Sequence, residues 1–557
     1  MKKNLTWQFL LAFTGFVFVM ALLSYQVQVQ TANYCTVTEA AEGGTFVEGV
    51  VGAPQYINPL LSDNNPVDRE LVSLIFDGLT RRDANGRLVP ALADSWVVSE
   101  DGLSVTFSLR GDAIWQDGEP FSADDVAFTY GLMQSDDFPN AGLRALWQTV
   151  TITAVAPQTI QFTLEEPYAP FLDATTRGIL PAHLLQGVTA VSLSANPFNT
   201  SPVGTGPLIV DGGVQNGRLR LLPNHANWQQ THLDAIEFRF FPNESSLLDA
   251  FANGEIQAIN SVSPVMLPQV AALPQARLFT SAVPRYTELL FNLGGTESPA
   301  LGRVDVRQAL AYALNRDLLV DEVLNGQAIP LEGPYLPTSW AYRPSLLTKY
   351  NFAPETAVSF LDAAGWTLPE GQTVRQQGED SLTLRLLFLD TPTFRALATA
   401  VQEQWAGVGT AVTLQPAASY DDLLTALTAR DFDVALLEVR PSGDPDLYDF
   451  WSQEAIVNGQ NYGGWNNRRA SEALESARQT WPQVERAPYY DNFLRYFDDS
   501  LPALTLYQHV NTYALSTAVN DAEIGKIDAP RDRYETFANW FIGYHDISVL
   551  CPAESSE

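Results

Sequence analysis

The run Pro441-Ser442-Gly443-Asp444-Pro445-Asp446-Leu447-Tyr448-Asp449-Phe450-Trp451 sets two carboxylates around a proline and follows them with aromatic rings. Two kinds of chemistry suit it. Asp444 before Pro445 reads as a helix N-cap, because a cap carboxylate accepts backbone N–H bonds and a proline at the first helical position gives up none. A carboxylate oxygen left over can instead receive a cation, although the positive end of a helix dipole opposes one. Asp446 is the fallback for the same role. The rings of Tyr448, Trp451, Tyr462 and Trp465 either line a cleft or fill a core, as most aromatics do. The polar, glycine-rich setting of Trp465 in NYGGWNN favours the cleft for that residue.

Other chemistry is sparse. The chain has no G-x-S-x-G elbow, phosphate loop, H-E-x-x-H or C-x-x-C. Its five histidines are scattered without ligand spacing. Carboxylate pairs such as Glu165-Glu166 carry no weight among 64 acids. We expect no enzyme, no metal site and no cofactor.

A net charge of −32, with lysine only at positions 2, 3, 349 and 526, argues against nucleic acid as a partner, since phosphate binding wants clustered Lys and Arg. The length allows two or three cores. Lys2 and Lys3 precede an apolar run at 7–25 that is long enough to span a bilayer and lacks a small-x-small cleavage site. It reads as an uncleaved anchor that leaves residues 30–557 outside, with a cleaved signal as the alternative. Cys35 and Cys551 are the only cysteines; in an oxidising compartment they could pair and tie the termini together, or stay two unrelated thiols.

The elements that must position these groups are mixed α/β. Period-two alternation predicts strands over 103–110 and 159–168. Ser122 with Asp125 three residues on predicts a capped helix over 122–133. Two βαβ-like stretches follow, 235–259 and 382–416, the second extended by a helix and a strand at 432–439. A single long helix is expected over 305–326. The βαβ stretches lie far apart in the chain, which suggests two α/β lobes rather than one large sheet, divided near residue 285.

Residues 58–133 carry NPLL, IFDGL, PALADSW and W-x-D-G-x-P-F-x-A-D-D-V. Later come PVGTGPL at 202–208, LLFNL at 289–293, DVRQALAYALNRDLLV at 305–320 and GDPDLYDFW at 443–451. In this order the motifs resemble the family 5 extracellular solute-binding proteins, the oligopeptide, dipeptide and nickel receptors of ABC importers. The resemblance covers about residues 45–545. It implies a two-lobed clamp of the periplasmic-binding-protein type (type II), with an extra subdomain in the first lobe. The expected layout is an anchor at 1–30, a linker at 31–44, lobe 1 at 45–285 with the subdomain at about 80–200, lobe 2 at 286–504, a return at 505–546, and a tail. Trp115 and Phe121 are expected in the core. The implied function is to bind peptides between the lobes outside the cytoplasm and deliver them to the transmembrane subunits of an ABC permease. Oligosaccharide or nickel-complex binding, or sensing without a transporter, are the alternatives. In peptide-binding members an acidic residue receives the α-ammonium, and Asp444, then Asp446, match it here. Further expected ligand contacts are Trp465, Tyr448 and Tyr56, with Arg285 and Tyr286 at the hinge as either contacts or hinge structure.

Overall fold

The computed structural model describes residues 2–32, 34–83, 86–226, 230–294, 299–527 and 529–550. Local signals account for many of its elements. Helix Ala123–Met133 starts at Ser122 with the full reciprocal capping box to Asp125, and strand Ala235–Phe241 occupies the expected residues. The run expected as one helix over 305–326 is broken. Val304–Tyr312 is helical, then the Asn315 side chain accepts the Leu318 N–H and starts a new turn at Arg316–Leu318, followed by a π-turn at Leu319–Val323. Asparagine competes for backbone hydrogen bonds in this way, which is why it favours caps over helix interiors.

The strands correct the expectation of separate sheets. Eleven of them hydrogen-bond into one continuous sheet. Two long strands, Ala276–Phe291 and Ala503–Ser516, pair antiparallel along most of their length and lie at its centre. On one side Thr45–Val51 sits between Ala235–Phe241 and Ala258–Val262, parallel to both. On the other, Thr383–Leu389 runs parallel to Ala411–Ala417 and to Val434–Val439. The central ladder slips register between Ala282 and Tyr286. Pro284 lies in that interval, where a residue without an N–H interrupts a ladder at least cost.

Although the sheet is continuous, the cores are not. One packs residues from Phe46 to Ala258 with Tyr513 to Trp540. Another packs Leu289 to Leu436 with Leu501 to Tyr507. A third, rich in aromatics, holds Trp451, Trp465, Phe493 and Phe497 beneath the second half of the sheet. The molecule thus has two lobes joined by shared strands. The first lobe carries a separate antiparallel sheet of Ala93–Val98, Ser104–Leu109, Thr159–Thr163 and Thr151–Ala156, backed by helix 123–133. Trp115 and Phe121 are buried there, as expected.

At the ends of the chain, Tyr34–Ala40 pairs antiparallel with Tyr544–Leu550. Cys35 sits opposite Val549; Cys551 lies outside the described residues. Helix Lys2–Ala32 precedes this pair and holds one stretch, Phe9–Gln28, long and apolar enough to cross a membrane.

Candidate functional site

The two lobes meet across a cleft that holds two neighbouring half-open cavities of about 340 and 600 Å³. Thr176 of the first lobe and Ser442 of the second line both. Direct contacts already bridge the walls. The Gly443 N–H donates to Asp173 Oδ2 at 3.0 Å, the Ala169 N–H to the Arg478 carbonyl at 2.7 Å, and the Trp481 indole N–H to the Gly102 carbonyl at 3.0 Å. Arg478 also lies 4.1 Å from the Tyr448 ring centroid and 5.3 Å from that of Tyr168, so one cation stacks between rings of both lobes.

Helix Pro66–Ile75 builds the first-lobe wall of the larger cavity. Asn65 caps it, accepting the Val67 and Asp68 N–H groups, and Pro66 takes the first helical position. Val67, Leu71 and Leu74 face the core, while Arg69, Val72 and Ser73 follow helical spacing along the cavity side, and Phe76, just past the helix end, lines the cavity too. The loop before the helix contributes Pro59, Ser62 and Asp63.

The run 441–451 forms the opposite wall, and two of its three acids are already engaged. Asp444 makes a two-pronged pair with Arg486, at 2.7 and 2.8 Å, and accepts the Asp446 N–H at 3.1 Å. Asp446 takes Arg478 at 2.6 Å and accepts the Tyr448 N–H at 3.1 Å. Neither caps the helix Tyr448–Trp451, whose cap position is Leu447; they make successive Asx-turns instead. Nor is either carboxylate free for an ammonium, because each is buried against a guanidinium. Asp449 differs: it lines the larger cavity, 69% of its side chain is exposed, and its nearest cation is Arg478 at 3.4 Å.

The other expected contacts divide. Trp465 is 4% exposed and packs edge-on to Trp451 and Phe497, so it is a core residue, not a cleft ring. Tyr448 is half-buried under Arg478, its hydroxyl donating to Glu454 at 3.0 Å. Tyr56 is half-buried, and its N–H donates to Asp68 at 2.9 Å; it lines neither cavity. Tyr286 and Arg285 part company because successive strand residues face opposite ways. Tyr286 is fully buried with Leu331, Leu336 and Val439. Arg285 turns to the other face and pairs with Glu438 at 3.2 Å.

Sequence reasoning passed over Glu438, Arg440, Arg69 and Asp449. Arg440 donates to Glu438 at 2.7 Å, and His509 stands 3.7 Å from the same carboxylate. Burial pushes the Glu438 carboxyl up, but Arg285, His509 and Arg440 together outweigh it and hold the group below its usual range. Burial, reinforced by Arg285, pushes His509 down to about 4, so it is neutral at neutral pH. The available signal was chemical: Arg440 just past the end of strand 434–439, two residues from Glu438, in a chain with half as many cations as acids. Among the described residues no group of three or more His, Cys, Asp or Glu is arranged to hold a metal ion.

Comparison with known proteins follows the same lines. Residues 87–458 match the model for bacterial extracellular solute-binding proteins, family 5 Middle. The chain is 28% identical over 366 residues to the nickel-binding periplasmic protein of Escherichia coli K12, covering 64% of this chain and 68% of that one. It is 25% identical over 496 residues to the dipeptide-binding protein of the same organism, covering 85% and 90%. The structure of the oligopeptide-binding protein AppA from Bacillus subtilis, in complex with a nonapeptide, superposes with a TM-score of 0.72 at 22% identity, covering 91% of this chain and all of that one.

Proposed function

The chain belongs to the bacterial extracellular solute-binding proteins, family 5, and is therefore a solute-binding receptor of an ABC importer; on that premise we propose that its solutes are short peptides. The half-open space between two lobes carries this reading, because it offers a ligand walls on two sides and a volume in the range typical of ligand sites, about 300–1,000 Å³. Asp449, on the second-lobe wall, is the carboxylate there with room for a peptide ammonium, in place of Asp444 and Asp446. A charge-assisted hydrogen bond of that kind contributes about 1.5–3 kcal/mol when water is excluded. Closure brings Asp173 to Gly443 and Tyr168 to Arg478, so the bound form presents one continuous surface from both lobes to the permease. We take residues 45–285 and 505–546 as the first lobe and 286–504 as the second. Helix 2–32 serves as the membrane anchor, holding the receptor outside the cytoplasm. The receptor releases its cargo chemically unchanged.

Mass spectrometry of solutes released by unfolding the full-length, detergent-purified protein tests this reading. A ladder of short peptides supports it, and Asp449→Asn then retains fewer of them. Oligosaccharide or a nickel complex in their place refutes the peptide assignment and leaves the receptor fold standing.

A further inference from the structure

Four prolines meet at the smaller of the two cavities. Pro284 comes from the central strand at its register slip. Pro334 follows strand 328–330, and Pro441 and Pro445 flank Ser442-Gly443-Asp444 on the second-lobe wall. A proline has no N–H to donate. This wall therefore offers few of the main-chain donors with which a sheet edge holds an extended peptide. Between two of the prolines, the Gly443 N–H is already given to Asp173 across the cleft. Leu336 and Leu447, both buried, and Val283, half-buried, complete the wall. The surface that the cavity presents is mainly carbon.

The polar groups around this wall are largely engaged within the chain. On the first-lobe side Arg82 pairs with Asp173, Asp83 with Arg87 at 2.9 Å and Arg531 with Asp77 at 2.8 Å. Asp532 accepts the Ala529 N–H at 2.6 Å, and the Thr176 hydroxyl donates to the Asp173 backbone carbonyl at 2.7 Å. Opposite them, the Ser442 hydroxyl donates to the Asp444 backbone carbonyl at 2.8 Å, and the Gln508 amide to the Val283 carbonyl at 3.0 Å. Arg81, the remaining charged group, is exposed and lines a further cavity as well. The 600 Å³ cavity differs: seven charged side chains line it, and Asp449 among them is largely exposed. A solute lying across both cavities meets one charged compartment and one apolar one.

Resting on the peptide reading above, we propose that the smaller cavity is a side-chain subsite selective for one bulky apolar residue of the bound peptide, such as leucine, isoleucine or phenylalanine. Water against the carbon wall finds few partners, so an apolar side chain displaces it at little cost and gains its own burial. An asparagine or aspartate side chain would give up its water and find the neighbouring groups already paired, which disfavours it. Thr176 and Ser442, which line both cavities, mark where the peptide passes from one to the other. Selection therefore falls on a single residue of the peptide and leaves the part in the charged compartment unconstrained by this wall.

The test incubates the full-length protein in detergent with an excess of an equimolar pool of peptides three to six residues long. Retained peptides are sequenced by mass spectrometry. Wild type is compared with Thr338→Trp, which fills the cavity from an exposed wall position, and with Val283→Asp, which places a charge in it; unfolding midpoints confirm that each variant is folded. At one peptide position, leucine, isoleucine and phenylalanine are expected to be enriched at least about tenfold over asparagine and aspartate, the ratio that burying such a side chain implies. Thr338→Trp is expected to move the preference at that position to alanine and glycine, and Val283→Asp to abolish it. Peptides retained without side-chain preference leave the peptide reading standing and overturn the subsite. A preference unchanged in both variants overturns it too, by placing the selection elsewhere. Failure to retain any peptide overturns the peptide reading and the subsite together.

Discussion

Glu288 should make this protein lose stability as pH rises through neutrality. It lies on strand 276–291, opposite Leu437 and Thr505, and is 3% exposed. Its Oε2 has no hydrogen-bond partner among the described residues. Burial alone drives the carboxyl from 4.5 up to about 8. Below about pH 4.5 the folded and unfolded chains both hold the proton, and Glu288 contributes no difference. Between 4.5 and 8 the unfolded chain releases it while the folded chain keeps it, so folding becomes less favourable with each unit of pH. At about 1.36 kcal/mol per unit, the loss reaches about 3 kcal/mol at pH 7 and about 5 kcal/mol above pH 8. Glu288→Gln preserves the shape and cannot ionise. In urea melts at a series of pH values, the variant should nearly match wild type at pH 5, then exceed it by a gap that widens to pH 8 and levels off. A gap that stays constant with pH, or a wild type that remains the more stable at pH 8, refutes the reasoning.

Asp444→Asn leaves the buried Arg486 unpaired and should cost about 3–5 kcal/mol in urea unfolding, with solute affinity unchanged in the folded fraction; a loss of affinity at unchanged stability would return Asp444 to the ligand. Gly443→Ala drives a methyl group into the Arg82 side chain, which holds Asp173 on the facing lobe. Titration should show solute binding weakened several-fold with little change in the unfolding midpoint. Trp465→Ala empties an aromatic core site and should destabilise by about 3–5 kcal/mol in the same melts, whereas a ring lining the cleft would lose affinity first.

Periodicity and capping made much of the scaffold legible. The Ser122–Asp125 box and the strands at 235–241 and 383–389 are local statements, written in adjacent residues. The continuous sheet was not legible, because it depends on two strands more than 200 residues apart in sequence finding each other. Residue type suggested the site, but pairing decided it. Asp444 and Asp446 look alike as acids in a turn, and only the distant Arg478 and Arg486 on neighbouring helices reveal that both are neutralised. From the sequence Arg285 was expected near the lobe crossing, as either a ligand contact or hinge structure. Its partnership with Glu438 and Arg440 required knowing which strand lies beside it and in what register. Trp465 misled because a glycine-rich flank describes its backbone surroundings and says nothing about where a large ring finds space.

The two central strands, 276–291 and 503–516, belong to both lobes at once. The clamp therefore has no linker that bends freely; its pivot is a length of twisted ladder, softened where Pro284 interrupts it. A change in the angle between the lobes would have to twist that ladder. The same sharing ties their fates during unfolding. Neither lobe can be excised without stripping a long strand of its neighbour, and a half-molecule would expose a raw edge inviting the wrong partner. The capture device and its mechanical integrity are the same pair of strands.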